Sequence, residues 1–166
     1  MLQLPLLTTP RLRLRPMRRD ADDADLFEVY GDPCVMRHAS DPPFAAVTDV
    51  AALHDSVQRL LAAGLSLEWA VAGREDDRVI GTCGLHHFDT ACASAEVGCL
   101  LARRHWGQGL MAEALRALVA HARDGLQLRL LLADIDEDNL RSQRLFTRLG
   151  FLARPPGPWQ LRLAAP

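Results

Sequence analysis

Arg103-Arg104-His105-Trp106-Gly107-Gln108-Gly109-Leu110-Met111-Ala112 is where the chain changes character. Before it, Ser94 to Leu101 reads as an extended strand. After it, Leu110, Met111, Ala114, Leu115, Leu118, Val119 and Ala122 recur at helical spacing as far as Arg123, with Glu113, Arg116 and Arg123 on the open side. Two glycines therefore fall on a strand-to-helix junction. Glycine lets backbone N–H groups come close to an anion, and a helix N-terminus adds unpaired donors and partial positive charge. The stretch is predicted to cradle a pyrophosphate, with Arg103 and Arg104 adding full charge at its edge. The plainer alternative is a tight corner that needs glycine only for its turn.

On the C-terminal side, Leu128 to Ala133 reads as a buried strand. A crossover through a helix makes it parallel to the strand ending at Leu101, which gives one βαβ unit. Asp138 or Asn139 can cap a last helix carrying Leu145 and Leu149 and stopped by Gly150. Phe151 to Arg154 and Trp159 to Leu163 supply closing strands around Pro155-Pro156-Gly157-Pro158. On the N-terminal side, Glu68 to Ala72 and Arg78 to Phe88 join Ser94 to Leu101 through connections short enough for an antiparallel meander. Arg11 to Arg15 alternates arginine with leucine, as a strand with one apolar face does. Asp20 is predicted to cap a first helix with Leu26, Phe27 and Tyr30 on its buried side and Gly31 as its stop. Thr48 is predicted to cap a second, with Val50, Leu53, Val57, Leu60 and Leu61 at helical spacing up to Gly64. The expected fold is α/β, a mixed and mostly antiparallel sheet with one βαβ crossover and flanking helices, in one domain over residues 1–166.

Gly107-x-Gly109-x-x-Ala112 also satisfies the dinucleotide-binding fingerprint, with Asp134 near the offset of a ribose-binding carboxylate. That reading requires further βαβ units. A meander precedes the junction instead, and Arg103 to Trp106 separates strand from glycines where the fingerprint has an immediate turn. The four cysteines form no C-x-x-C pair and have no histidines at zinc-finger spacing, so free thiols are expected and no metal. A formal charge of −2 gives no general pull toward nucleic acid or acidic membranes. No apolar stretch approaches the ~20 residues of a membrane helix, and no secretory leader is legible, so a cytoplasmic setting is expected.

Arg104-x-x-Gly107-x-Gly109 resembles the R/Q-x-x-G-x-G/A signature of the GNAT acetyltransferases, and "AEVGCLLARRHWGQGLMAEAL" is similar to the RimJ/RimL-type branch. The likeness extends over nearly the whole chain. "TTPRLRLRPM" resembles that branch's first strand, "GDPCVMRH" the end of its first helix, and "NLRSQRLFTRLGF" its Asn-x-x-Ser segment ending in Gly-Phe. The resemblance implies the GNAT acyl-CoA N-acyltransferase fold, whose fourth and fifth strands splay to admit the pantetheine arm of acetyl-CoA. Leu100, Leu101 and Ala102 would offer backbone groups to that arm. The N–H groups from Arg104 to Leu110, through Gly107, Gln108 and Gly109, would hold the pyrophosphate, with Ala112 closing the motif. Asn139 and Ser142 would face the thiol end. The implied reaction is acetylation of a primary amine, on a peptide N-terminus or a small molecule. The alternatives are a non-catalytic acyl-CoA sensor or an oxidoreductase built on the dinucleotide reading.

Direct transfer needs a deprotonated amine and a proton source for the departing thiolate. Glu96 is the candidate base, because period-two alternation puts it on one strand face with Gly98 and Leu100. Its structural alternative is a strand carboxylate paired with a nearby arginine. Many family members carry a tyrosine acid four residues after the position of Ser142; this chain has Phe146, which leaves Ser142 as the candidate acid unless that serine merely caps its helix. His86 and His87, adjacent in a strand, are expected on opposite faces, with one of them able to line the acceptor pocket and no partner visible for either. Arg11, Arg13, Arg15, Arg18 and Arg19 lack interleaved aromatics and read as a solvated face, not a nucleic-acid stripe. Trp106 is expected to pack beneath the glycines, and Asp22, Asp23 and Asp25 to be helix-start charges. Oligomeric state is open, a homodimer included.

Overall fold

The computed structural model describes residues 3–164. In chain order the strands are β1 (Leu7–Thr8), β2 (Leu12–Arg15), β3 (Ser66–Gly73), β4 (Val79–Asp89), β5 (Ser94–Leu101), β6 (Leu130–Ala133), β7 (Leu152–Arg154) and β8 (Gly157–Arg162). The helices are α1 (Asp23–Tyr30), α2 (Pro33–Met36), α3 (Val50–Ala62), α4 (Leu110–Asp124) and α5 (Leu140–Arg148). One sheet takes the order β1-β2-β3-β4-β5-β6-β8-β7. Every neighbouring pair is antiparallel except β5 and β6, which the α4 crossover makes parallel. This is the expected mixed sheet with one βαβ unit.

Alternation sorts the strand side chains onto two faces. Leu12, Leu14, Trp69, Val71 and Leu85 join Leu115 and Leu118 of α4 and Phe146 of α5 in one buried cluster. Ala70, one residue out of phase, packs instead with Leu26 of α1 and Val50 of α3. Leu118 is fully buried, and truncating such a leucine to alanine costs about 2–5 kcal/mol.

Two helix starts differ from expectation, and at each the carboxylate of the N-cap residue is engaged elsewhere. Asp22, not Asp20, stands at the N-cap of α1, yet caps nothing with its side chain. It receives a bidentate pair from Arg15 at 2.7 and 2.9 Å and the Arg18 amide at 2.7 Å. Asp49, not Thr48, precedes α3, after a 3-10 turn over Val47–Asp49, and its carboxylate accepts from the Ala45 and Ala46 amides. A separate helix, α2, begins at Pro33, with the Asp32 side chain accepting from the Cys34 amide at 2.8 Å.

Of the five N-terminal arginines Arg15 alone is buried, while Arg11, Arg13, Arg18 and Arg19 keep side chains 41–51% exposed, as a solvated face does. The Arg15 and Asp22 side chains are 9% and 3% exposed, and Asp77 adds a second carboxylate to Arg15 at 3.0 Å. Burial disfavours the Asp22 charge, but the bonds from Arg15 and Arg18 outweigh it and hold the carboxyl below its ordinary range. Arg18 reaches Asp77 and Arg19 reaches Asp55, so the stripe is neutralised within the protein.

Candidate active site

Pairing between β5 and β6 covers only Ser94↔Leu130, Ala95↔Leu131 and Glu96↔Leu132. Beyond Glu96 the strands part, and β5 continues to Leu101 against β4 alone. A cavity of about 250 Å³ opens from the parting. Cys99, Leu100 and Leu101 line it from β5, His105, Trp106, Gly107 and Gly109 from the junction, and Leu110, Met111 and Ala112 from α4. Opposite stand Asn139, Arg141, Ser142, Arg144, Leu145 and Arg148, with Val35, His38 and Ala39 at the mouth. Among the described residues no carboxylate lines the cavity.

Gly107 and Gly109 adopt φ of +76° and +75°, the left-handed region that disfavours any side chain. The backbone turns so that the N–H groups from Gly107 to Ala112 donate to no acceptor among the described residues. The first bond of α4 is Glu113 N–H to the Gly109 carbonyl at 3.1 Å. The loop is held from behind. The Gln108 side chain donates to the Arg104 carbonyl at 3.0 Å, and Arg11 donates to the Gln108 carbonyl at 3.1 Å. Glu113, expected on the open side, is 15% exposed and accepts from the Thr9 hydroxyl at 2.6 Å and the Arg11 amide at 2.8 Å. The turn between β1 and β2 thus clamps the junction.

Four of the residues expected to touch the cofactor do not line the cavity: Ala102, Arg103, Arg104 and Gln108. Ala102 is buried, its amide donating to the Ile80 carbonyl and its carbonyl accepting from His105, and Cys99 takes its place in the lining. Arg103 and Arg104, expected to add charge at the edge, each have a carboxylate partner: Arg103 pairs with Asp32 at 3.5 Å and Arg104 with Glu28.

On the opposite wall, Asn139 is the cap of α5 and accepts from the Ser142 amide at 3.2 Å. Asp138 pairs instead with Arg37 and His38, and His38 lies 2.9 Å from Asp136, which ties the segment after α2 to the loop before α5. Ser142 is therefore not the capping side chain, and its residue lines the cavity. Phe146, one turn on, is core: its ring meets that of Phe151 edge-on at 5.0 Å. Trp106 packs with Leu100 and Ala102 under the junction and donates to the Leu101 carbonyl at 2.7 Å. The Arg141 guanidinium lies 3.2 Å above its ring.

Glu96 stands at the vertex of the splay, in register with His86, and does not line the cavity. Its carboxylate is 2.5 Å from Nδ1 of His87. A bulge between His86 and Asp89, with His87 at φ +49°, breaks the alternation that was expected to send the two histidines to opposite faces. Both have partners. Nδ1 of His86 is 2.7 Å from the Ser66 hydroxyl and Nε2 is 3.2 Å from Glu68. Burial disfavours the His86 charge, yet Glu68 and then Glu96 outweigh it and raise the imidazole above its ordinary value. Glu68 fits because Gly84, its register partner, has no side chain: a Cβ there would clash with the carboxylate. Glu68, Arg11 and the α5 arginines carried no signal in the sequence, since what they touch lies on other elements.

The Acetyltransferase (GNAT) domain family matches residues 11–152. The chain belongs to the GNAT acetyltransferase family. It is 33% identical over 146 residues, 87% of this chain and 81% of the relative, to the uncharacterized N-acetyltransferase p20 of Bacillus licheniformis. Over 78 residues, 47% of this chain and 44% of the relative, it is 31% identical to the ribosomal-protein-serine acetyltransferase of Escherichia coli. The RimL ribosomal L7/L12 alpha-N-protein acetyltransferase, solved with coenzyme A, superposes with a TM-score of 0.82 at 16% identity, covering 98% of this chain and 100% of that one. As a member of this family, the chain is an N-acetyltransferase. The dinucleotide reading falls with the fold: a sheet with a single parallel pair has no doubly wound half. Among the described residues no helix is long and apolar enough to cross a membrane.

Proposed function

We propose that this GNAT enzyme transfers the acetyl group of acetyl-CoA directly to a primary amine, on a peptide N-terminus or a small molecule. The observation that carries the reading is the run of N–H groups from Gly107 to Ala112, unpartnered among the described residues, at a cavity that Gly107, Gly109, Leu110, Met111 and Ala112 line and no described carboxylate does. Such a site suits a pyrophosphate and repels no anion. In this reading acetyl-CoA supplies the acyl group, and the parted strands receive its pantetheine arm.

The protein's own contribution is to place two proton-handling groups at the ends of the transfer. Glu96, at the vertex, takes a proton from the acceptor ammonium through a water. An amine protonated at neutral pH is no nucleophile until then. His87 is hydrogen-bonded to Glu96 and orients it. Ser142, freed from capping by Asn139, directs its hydroxyl to the departing thiolate in place of the tyrosine that Phe146 replaces. The arginines of the N-terminal region are paired with carboxylates, which supports an amine acceptor over nucleic acid.

A screen of amines and N-terminal peptides for thiol release from acetyl-CoA tests the function. Turnover with at least one amine is expected; CoA binding without turnover on any of them would reduce the protein to a sensor. For the base, Glu96→Gln is expected to lower turnover by about 10²-fold or more and to flatten the low-pH limb of the rate profile, with CoA affinity kept. Full turnover with an unchanged profile would move the proton transfer to another group.

A further inference from the structure

The loop wall offers donors for one pyrophosphate, but the cavity carries more positive charge than that wall supplies. Arg141, Arg144 and Arg148 lie on α5 at intervals of three and four residues, so they form a row about 10 Å long on one helix face. All three line the cavity. Among the described residues none of them pairs with a carboxylate. The arginines at the cavity's rim differ: Arg103, Arg104 and Arg37 are each matched by an aspartate or glutamate. Arg141 is partly committed to the Trp106 ring. Burial disfavours its charge, and only the thiols of Cys99 and Cys34, with no carboxylate, work against that cost. Arg144 and Arg148, both exposed, make no such ring contact.

We infer that Arg144 and Arg148, with Arg141 behind them, bind the phosphate monoester on the ribose of the cofactor, the third phosphate that coenzyme A carries beyond its pyrophosphate. The chemistry fits this group better than the pyrophosphate. A monoester dianion with three terminal oxygens can accept forked guanidinium donors from two side chains, whereas the diphosphate bridge is served by the row of main-chain N–H groups across the cavity. An unbalanced arginine row opposite an N–H cradle is the arrangement expected of a ligand with two separated anionic centres. The inference rests on the reading of the cleft as a CoA site and adds to it a basis for selecting the 3′-phosphorylated form.

Calorimetry with the full chain tests it, using CoA and dephospho-CoA as the two ligands. The parent protein is expected to bind CoA about 10-fold to 100-fold more tightly, the range for loss of one or two charged hydrogen bonds. In Arg144→Gln/Arg148→Gln the affinity for CoA is expected to fall to that of dephospho-CoA, while dephospho-CoA itself binds as before. Both positions are exposed, and an unchanged melting temperature will show that the variant is folded. Equal affinity of the parent for the two ligands overturns the inference, as does a variant that keeps the preference. If the parent binds dephospho-CoA but shows no preference, only the arginine row loses its role. If it binds neither ligand, the cleft is no CoA site and the inference falls with it.

Discussion

The two walls of the cleft hold anions by different means. The β5–α4 wall is a main-chain surface: its donors are the N–H groups from Gly107 to Ala112, and its two arginines are neutralised by Glu28 and Asp32. The α5 wall is a side-chain surface, where three arginines stand without acidic partners and Asn139 releases Ser142 from capping. Main-chain donors are rigid and tolerate only glycine at φ above +70°, so that wall is specific in position. Side-chain donors are mobile and interchangeable in position, so that wall is specific in charge.

The comparison breaks most sharply at Gly109. Gly109→Asp forces a side chain into the left-handed region at about 1–2 kcal/mol and sets a carboxylate against the phosphates, so CoA affinity measured by calorimetry is expected to fall by about 100-fold or more. A variant that binds as tightly as the parent would place the cradle elsewhere. Ser142→Ala probes the other wall. Turnover is expected to drop by about 10-fold, since a thiol of pKa near 8.5 leaves fairly well unaided, with CoA affinity unchanged. An unaltered turnover would leave the serine without a chemical role. A smaller effect runs the other way: Glu28→Gln frees Arg104 at the edge of the main-chain wall and is expected to tighten CoA binding by about two-fold to three-fold at low salt, a gain that fades as salt is added. No change would mean that Arg104 stays out of reach of the ligand even when released.

The vertex between the walls has a pH signature. With its folded pKa raised, His86 adds stability that is fully present below its unfolded value near 6.5 and is lost as pH rises through the folded value. Glu68→Gln removes the main counter-charge, so the His86 ring is expected to titrate at lower pH by NMR, and the fall in melting temperature above pH 6.5 should shrink. An unshifted ring would show that Glu68 does not hold the proton.

How much of this was legible follows the same division. The glycine junction, the meander, the crossover and the start of α5 near Asn139 could be read because each depends on residues close in the chain: positive φ, helical spacing, connection length and a local cap. Even there, local rules failed where a distant partner intervened. Asp20 and Thr48 looked like caps, but the carboxylate of Asp22 went to Arg15 and that of Asp49 to two upstream amides. His86 and His87 looked opposed, and a bulge turned both toward glutamates.

By itself, then, the order of residues determined the mixed sheet, the single parallel pair and the main-chain cradle, because backbone conformation answers to neighbours a few positions away. Only the tertiary structure decided which charges survive. Arg103 and Arg104 are cancelled by α1 and by the cap of α2, whereas Arg141, Arg144 and Arg148 are left open because no acidic side chain of the described residues is packed against them. Which charges are left open to a ligand is set by how elements far apart in the chain come together.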